Sequence, residues 1–435
     1  MFDNQIIPPN EKLKKIRQIL RATQDEIAEG ICTKNNISQI ENNKQKLTAN
    51  LAIGIAENLN KIAKAKGIAL SPITVNDLIK DEDSQANYIF RNSIMKELKE
   101  INEIELFEKK LHEAENIIEN YNISDKEKLE LYKLAADFYY HQHIYTKSEE
   151  MCNKGLKVDI TLKNITEEAN LYIFKSRNSI ETQRYSEALE QLEYAEKLNK
   201  RIGNNSFFEK IFFIRALTNK KLGNYDEALK YLDILKNKFE IEDKVLLLKV
   251  NMVYANCLSN QHRFDEAEKK YIETLELGMK FDYKDFIAMA YRNLSELYLL
   301  KGDYKSAGRY IKDSLICSPN NEYIGEILYF AAKVFENLNE DVEGYLLKAL
   351  VMCEKNDKEN LDLIEKIIYE LILIYISKED EKNIMLIAKK AELLNIDCCL
   401  IYLELVEYYR ERNKEKSINL NKKIIGKVKR IKNFF

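Results

Sequence analysis

The sequence predicts an all-α protein, a bundle of five short helices in front of a long array of helical hairpins. Three observations carry that expectation. Only 12 Gly and 4 Pro occur in 435 residues, so the punctuation that ends strands and tight turns is scarce. Apolar residues recur at three- and four-residue spacing along the first eighty residues, the period of a helix with one buried face. Further on, an eight-residue phrase returns five times at intervals of 39 or 40 residues.

Leu13, Ile16, Ile19 and Leu20 share one face of a first helix over about 10–21, with Asn10 as its N-cap after Pro8 and Pro9. Thr23 opens a second helix with a capping box, Glu26 standing three residues on, and Gly30 ends it. Thr33 caps a third helix that turns Ile37 and Ile40 inward. Thr48 caps a fourth carrying Leu51, Ile55, Ala56, Leu59 and Ile62, and VNDLI (75–79) forms a short fifth. If Ile37 and Ile40 point in, then Lys34, Asn35, Ser38 and Gln39 point out, on residue types that include weak helix formers.

Two helices joined by a tight turn, the second presenting Lys, Asn, Ser and Gln, is the layout of a helix-turn-helix. Asn and Gln can pair bidentately with adenine in the major groove, and Lys suits guanine edges or phosphates. Gln24 at the start of the second helix and Lys44 beyond the third are placed to donate to phosphate. Thr33 and Asn36 complete the candidate DNA-binding set.

The repeated phrase is YTKSEEMC (145–152), YSEALEQL (185–192), YDEALKYL (225–232), FDEAEKKY (264–271) and YKSAGRYI (304–311). Its aromatic leader is read as opening the second helix of a hairpin and filling the gap between the two helices. Ala188, Ala228, Ala267 and Ala307 are small where the helices cross. Twelve residues before each phrase's small residue stand Ala136, Ser176, Ala216, Ala255 and Ser295. Gly223 and Gly302 suit the hairpin turn, and Pro319 can stop a second helix. This is the tetratricopeptide pattern stretched to about 40 residues. Flanking segments extend it to about eight to nine hairpins in a right-handed superhelix. The expected domains are a helix-turn-helix over 1–80, a linker over 81–93, and repeats for peptide binding and dimerisation over 94–435.

The first helix of each pair lines the inner surface of such a stack, which suits an extended peptide. Positions around the small first-helix residue select Lys133, Asp137 and Tyr140, then Arg177 and Asn178. Phe213 and Asn219, Met252 and Asn256, and Arg292, Asn293 and Glu296 follow. An Asn amide donates and accepts at once, so it can clamp a peptide backbone whatever the side chains, while Arg and Lys would take its carboxylates. The competing reading is that each Asn bonds its own helix or solvent.

Charge supports the division of labour. Residues 1–80 hold 12 Lys and Arg against 8 Asp and Glu, and the remainder hold 56 against 63. A basic first part joined to an acidic remainder fits a DNA reader attached to something else. The seven Cys have no framework spacing, which suits a reduced, cytoplasmic protein, and the adjacent pair Cys398–Cys399 points to different helix faces. His141 and His143 stand two apart, poor metal geometry, and no Gly-rich phosphate loop or Ser-His-Asp layout occurs, so neither a cofactor nor an enzyme is expected. No apolar run is long enough to span a membrane. The basic final helix (Lys422, Lys423, Lys427, Lys429, Arg430, Lys432) reads as a cap that docks its apolar side.

TQDEIAEGICTKNNISQIEN (23–42) resembles the helix-turn-helix of the phage-repressor-like Xre class, and its shortened EGIC turn is similar to that of peptide-sensing regulators. Followed by roughly 40-residue tetratricopeptide repeats, it resembles the RRNPP family of quorum-sensing regulators, in its PlcR- and NprR-like branch. The resemblance implies a double-stranded DNA operator, a short imported signalling peptide as the switch, and a homodimer. Asn178, seven residues before Tyr185, matches a family Asn, and Asn293, eleven before Tyr304, is similar to another. The alternative that the family implies is a Rap-like protein acting mainly on a response regulator, with DNA binding secondary.

Overall fold

The computed structural model describes residues 5–317, 323–355, 361–394, 396 and 399–432, with side chains up to 425 in the last helix. Every element among them is helical. They form two compact units, residues 1–214 and 215–435, and the boundary falls inside one helix.

The first unit opens with α1 (Pro9–Ile19), α2 (Gln24–Ala28), α3 (Lys34–Glu41), α4 (Ala49–Ala65) and α5 (Val75–Ile79). The side chains of Thr23, Thr33, Thr48 and Thr74 each accept the N–H three residues on, and Thr23 and Thr74 sit in complete capping boxes. α1 starts two residues earlier than Asn10 as N-cap would allow. Pro8 is the N-cap and Pro9 the first helical residue, where its fixed φ and missing N–H cost nothing. Leu13, Ile16, Leu20, Ile27, Ile37, Ile40, Ile55, Leu59 and Leu78 form one buried cluster. Ile62 is half-buried beside it.

Residues 81–93, expected as a linker, are mostly helix. α6 (Glu82–Ile89) runs through a π-helical turn (Phe90–Ile94) into α7 (Met95–Glu100). Ala86, Phe90 and Ile94 are fully buried, in the same cluster as Phe107 and Leu131, so this stretch holds core and not a solvated spacer. Gln85 clasps the incoming chain, accepting from the Ile7 N–H at 3.1 Å and donating to its carbonyl at 2.8 Å.

The hairpins follow. α8 (Ile104–Asn120) precedes the pairs α9 (Asp125–His141) with α10 (Tyr145–Leu162), and α11 (Ile165–Glu181) with α12 (Tyr185–Ile202). α13 (Asn205–Lys221) contains the unit boundary and leads to α14 (Tyr225–Lys238). The second unit continues with α15 (Lys244–Asn260) and α16 (Phe264–Phe281), α17 (Lys284–Leu300) and α18 (Tyr304–Cys317), and α19 (Ile324–Glu336) and α20 (Val342–Lys355). α21 (Leu361–Ser377) with α22 (Glu381–Leu393) and α23 (Cys399–Arg412) with α24 (Lys414–Lys432) complete it.

The small residues do what the phrase implies. Ala136, Ser176, Ala216, Ala255 and Ser295 are buried, as are Ser148, Ala188, Ala228, Ala267 and Ala307. Two of the pairs are joined directly, Ser148 Oγ donating to the Ala136 carbonyl and Ser295 Oγ to that of Ala307, each at 2.8 Å. The aromatic leaders are less buried than a gap-filling role requires: Tyr145, Tyr185, Tyr225 and Phe264 are half-buried, and Tyr304 is 42% exposed. Standing first in its helix, each has no preceding turn to cover its outer edge.

The turn itself repeats where sequence does not. His143, Gln183, Gly223, His262, Gly302, Asn339 and Glu379 all have positive φ, from 54° to 78°. Only two are Gly, so side-chain-bearing residues adopt the strained left-handed region at the others. Asn339 and Glu379 extend the hairpin register past the last recognisable phrase.

α24 docks Leu420 and Ile424 on the core under it, and Lys423 pairs with Glu392 at 2.6 Å. Its opposite side exposes Ile418 and Ile425. The side chains of Lys427, Lys429, Arg430 and Lys432 lie outside the described residues, as do Pro319 and Cys398.

Candidate functional site

Three groups of candidate residues can be built up from the helices that hold them. In the first, α2 and α3 are fixed by a buried carboxylate. Arg17 reaches Glu41 with both ends of its guanidinium, Nε–Oε1 at 2.6 Å and Nη2–Oε2 at 2.9 Å, and Gln24 Nε2 donates to Oε2 at 2.8 Å. Burial alone would raise the Glu41 pKa. The Arg17 and Gln24 hydrogen bonds and the Arg17 charge outweigh it and hold the carboxyl below its ordinary range. Gln24 thus spends one of its two amide N–H groups on Glu41, which leaves one for another acceptor.

Of the other DNA-binding candidates, Lys34, Asn35, Gln39 and Lys44 are exposed. Thr33 is occupied as the N-cap of α3 and donates its hydroxyl to Asn36 Oδ1 at 2.6 Å. Asn36 and Ser38 are half-buried, and the Ser38 carbonyl accepts from Asn42. Lys34 reaches Asp25 at 3.0 Å, a solvent-exposed pair of little energetic weight. The open surface of α3 is thus a narrow row of one ammonium and two amides, with Lys44 at its far end.

The second group lies on α9 and α11. Tyr140 meets Phe174 edge-on at 5.6 Å, and the Arg177 guanidinium lies against both rings, 4.2 Å from the Tyr140 centre and 5.2 Å from that of Phe174. Burial pushes the Tyr140 phenol up, with Arg177 opposing. Lys133 pairs with Glu167 at 2.7 Å, and Asp137 is exposed beside His141. Asn178 differs from all of these. It is 0% exposed, and neither its amide nitrogen nor its oxygen has a hydrogen-bond partner among the described residues. An unmet buried amide of this kind costs about 1–3 kcal/mol.

The third group belongs to the second unit. Asn256 Oδ1 accepts from the Tyr271 hydroxyl at 2.6 Å and from Asn293 Nδ2 at 3.2 Å. Arg292 donates to Asn293 Oδ1 at 3.0 Å and to Glu296 at 2.6 Å, and lies 4.6 Å from the Phe330 ring centre. Asn219 stands apart, its amide bonded to the Arg215 carbonyl of its own helix at 2.9 Å. Lys220 is held near the network. Burial pushes its pKa down, Cys257 and Glu296 oppose, and Lys221 and Arg292 add to the fall.

Sequence reasoning missed Phe174, Tyr271, Lys220 and Phe330. A signal existed for Tyr271: it ends its repeated phrase where the other copies have Cys152, Leu192, Leu232 and Ile311. A buried phenol at an apolar position needs a partner, and Asn256 supplies it. Among the described residues no group of His, Cys, Asp and Glu could hold a metal ion, and no helix is long and apolar enough to cross a membrane.

A family model described as Suppressor of spindle checkpoint defect 1 C-terminal domain matches residues 215–392. Regulatory protein RapK of Bacillus subtilis is 24% identical over 216 residues, which cover 48% of this chain. The match spans only 56% of RapK. The apo form of the quorum sensor NprR from B. thuringiensis superposes with a TM-score of 0.50 at 16% identity, covering 94% of this chain and 99% of NprR. A Rap protein complexed with Competence and Sporulation Factor gives 0.47 at 14% identity over 79% of this chain and 98% of that one. The chain therefore has the all-helical repeat fold seen in NprR, and RapK is a sequence homologue over about half of each chain.

Proposed function

We propose that this protein is a peptide-switched transcription regulator that reads duplex DNA in the cytoplasm with α3 and takes a short signalling peptide on its repeats. The observation that carries the reading is the exposed row Lys34, Asn35 and Gln39 on a short helix whose start is capped by Thr33. The Arg17–Glu41–Gln24 network ties α1, α2 and α3 into one rigid body, which groove reading needs. The orphaned amide of Asn178 supports the peptide half. A buried donor and acceptor with no partner is a group kept for a state in which a ligand's backbone meets it. The Tyr140, Phe174 and Arg177 cluster beside it on the same helices offers an aromatic and cationic neighbour for that ligand. A homodimer follows from the reading, because paired half-sites need two copies of α3.

A second reading, action on a response regulator in the manner of the Rap proteins, is favoured by the RapK likeness over 216 residues. Selection from a random-sequence duplex library separates the two. Wild type is expected to enrich a defined, dyad-related sequence. Asn35→Ala with Gln39→Ala should lose it while far-UV circular dichroism stays unchanged. Equal enrichment by the double variant, or none by wild type, overturns the DNA-reading assignment.

A further inference from the structure

Two turns of the first unit are built alike forty residues apart, differing in Lys163 for Gly203 at the C-cap and Asp159 for Asn199 four residues before it. α10 ends at Lys163 in the left-handed conformation (φ 53°), its N–H bonded to the Asp159 carbonyl at 2.7 Å, and the Asn164 side chain then caps α11. α12 ends at Gly203 (φ 73°), its N–H bonded to the Asn199 carbonyl at 2.8 Å, and the Asn204 side chain accepts from the Phe207 N–H. Asn199 is fully buried and closes its turn in both directions. Nδ2 donates to the Asn204 carbonyl at 2.8 Å, and Oδ1 accepts the Asn204 N–H at 3.3 Å.

Asp159 occupies the equivalent position and is 3% exposed. Its carboxyl can copy the accepting half, from the Asn164 backbone. The donating half is beyond an ionised carboxylate, which has no proton to offer the Asn164 carbonyl. Asp159 Oδ1 is correspondingly buried without a hydrogen-bond partner among the described residues.

We propose that Asp159 is a proton-binding switch in the turn that leads into α11. The neutral acid reproduces Asn199 by donating its O–H to the Asn164 carbonyl. Ionisation releases that proton to solvent, sets two acceptors against each other, and loosens the start of the helix that carries Arg177 and Asn178.

The surrounding groups are mixed. Glu167 and Glu168 on α11 oppose ionisation, and Lys157 on α10, Lys163 in the turn, Tyr172 on α11 and Arg201 on α12 line the same pocket. Burial is the largest influence and pushes the Asp159 pKa up, with Glu168 adding to it and the Asn164 backbone opposing. Because the folded pKa lies above the unfolded one of about 3.9, the stabilisation by the neutral acid is complete below that value. It is lost as pH rises through the folded pKa.

Melting temperatures of the full chain, of Asp159→Asn and of Asn199→Asp, measured between pH 4.5 and 8, test this. Asp159→Asn should melt above wild type by roughly 2–4 °C at pH 8, with the gap closing towards pH 4.5. Asn199→Asp should melt below wild type at pH 8 and rejoin it at low pH. A gap that is independent of pH, or a more stable wild type at pH 8, overturns the proposal. Hydrogen exchange on wild type supplies a readout that needs no variant. After correction for the intrinsic rate, amides 160–168 should lose protection as pH rises while the equivalent amides 200–208 do not. Parallel behaviour of the two turns would contradict the switch.

Discussion

α3 and the repeats use the same polar side chains in opposite ways. On α3, Asn35 and Gln39 stand exposed, and the helix is held by other groups, the Thr33 cap and the Glu41 network. In the repeats the amides are inside: Asn178, Asn219 and Asn293 are 0%, 6% and 8% exposed. Asn219 bonds its own helix and Asn293 shares Asn256, whereas Asn178 has no side-chain hydrogen-bond partner among the described residues. Residue type and helix face are therefore not enough to define a binding residue. Whether the amide's hydrogen bonds are already made decides which side chains remain open to another molecule.

That contrast can be broken most forcefully at Arg17. Arg17→Met strands the buried Glu41 carboxylate and should cost about 3–5 kcal/mol in urea denaturation. The loss should depend on pH. Glu41 has a lowered folded pKa, so its contribution is present above the unfolded value of about 4.3 and disappears as pH falls through the folded one. Wild type and variant should converge in acid.

Asn178→Leu sharpens the contrast from the other side. Removing both orphaned atoms should stabilise the ligand-free protein by about 1–3 kcal/mol, read by the same denaturation. If the amide instead supports the apo fold, the variant will be less stable.

The turns give the smallest effects. Gly223→Ala places a Cβ at φ 78° in open space, so backbone strain alone should cost about 1–2 kcal/mol. Gln183→Gly, at the equivalent turn, should gain up to about 1 kcal/mol by the same argument.

These turns also show how far the sequence could be read. Helix starts at Thr23, Thr33 and Thr48 were legible because a hydroxyl three residues before a free N–H is a local chemical signal. The hairpin crossings were legible because small residues recur with the period. The turn residues were not, since His143, Gln183 and His262 carry no preference for the left-handed region and are held there by the packed helices. Residues 81–93 misled through composition: DEDSQANYIFRNS begins polar, but Ala86, Ile89 and Phe90 form a helical stripe that finds a core. At the candidate sites, Lys34, Asn35 and Gln39 face outward as the helical period of α3 implies, while Ser38, expected in the same row, is half-buried. Sequence could not tell that Gln24 is bonded to Glu41 or that Asn178 lies inside, because both depend on contacts from helices distant in the chain.

The claim that matters most is that an occupant of the repeats alters what α3 does. It is tested by measuring the affinity of the full chain for its selected duplex, with and without heptapeptides enriched on the same protein from a random library. The account predicts a shift of about 5- to 150-fold in either direction, the span of ordinary coupling between two sites. An enriched peptide that binds the repeats and leaves duplex affinity unchanged would contradict it.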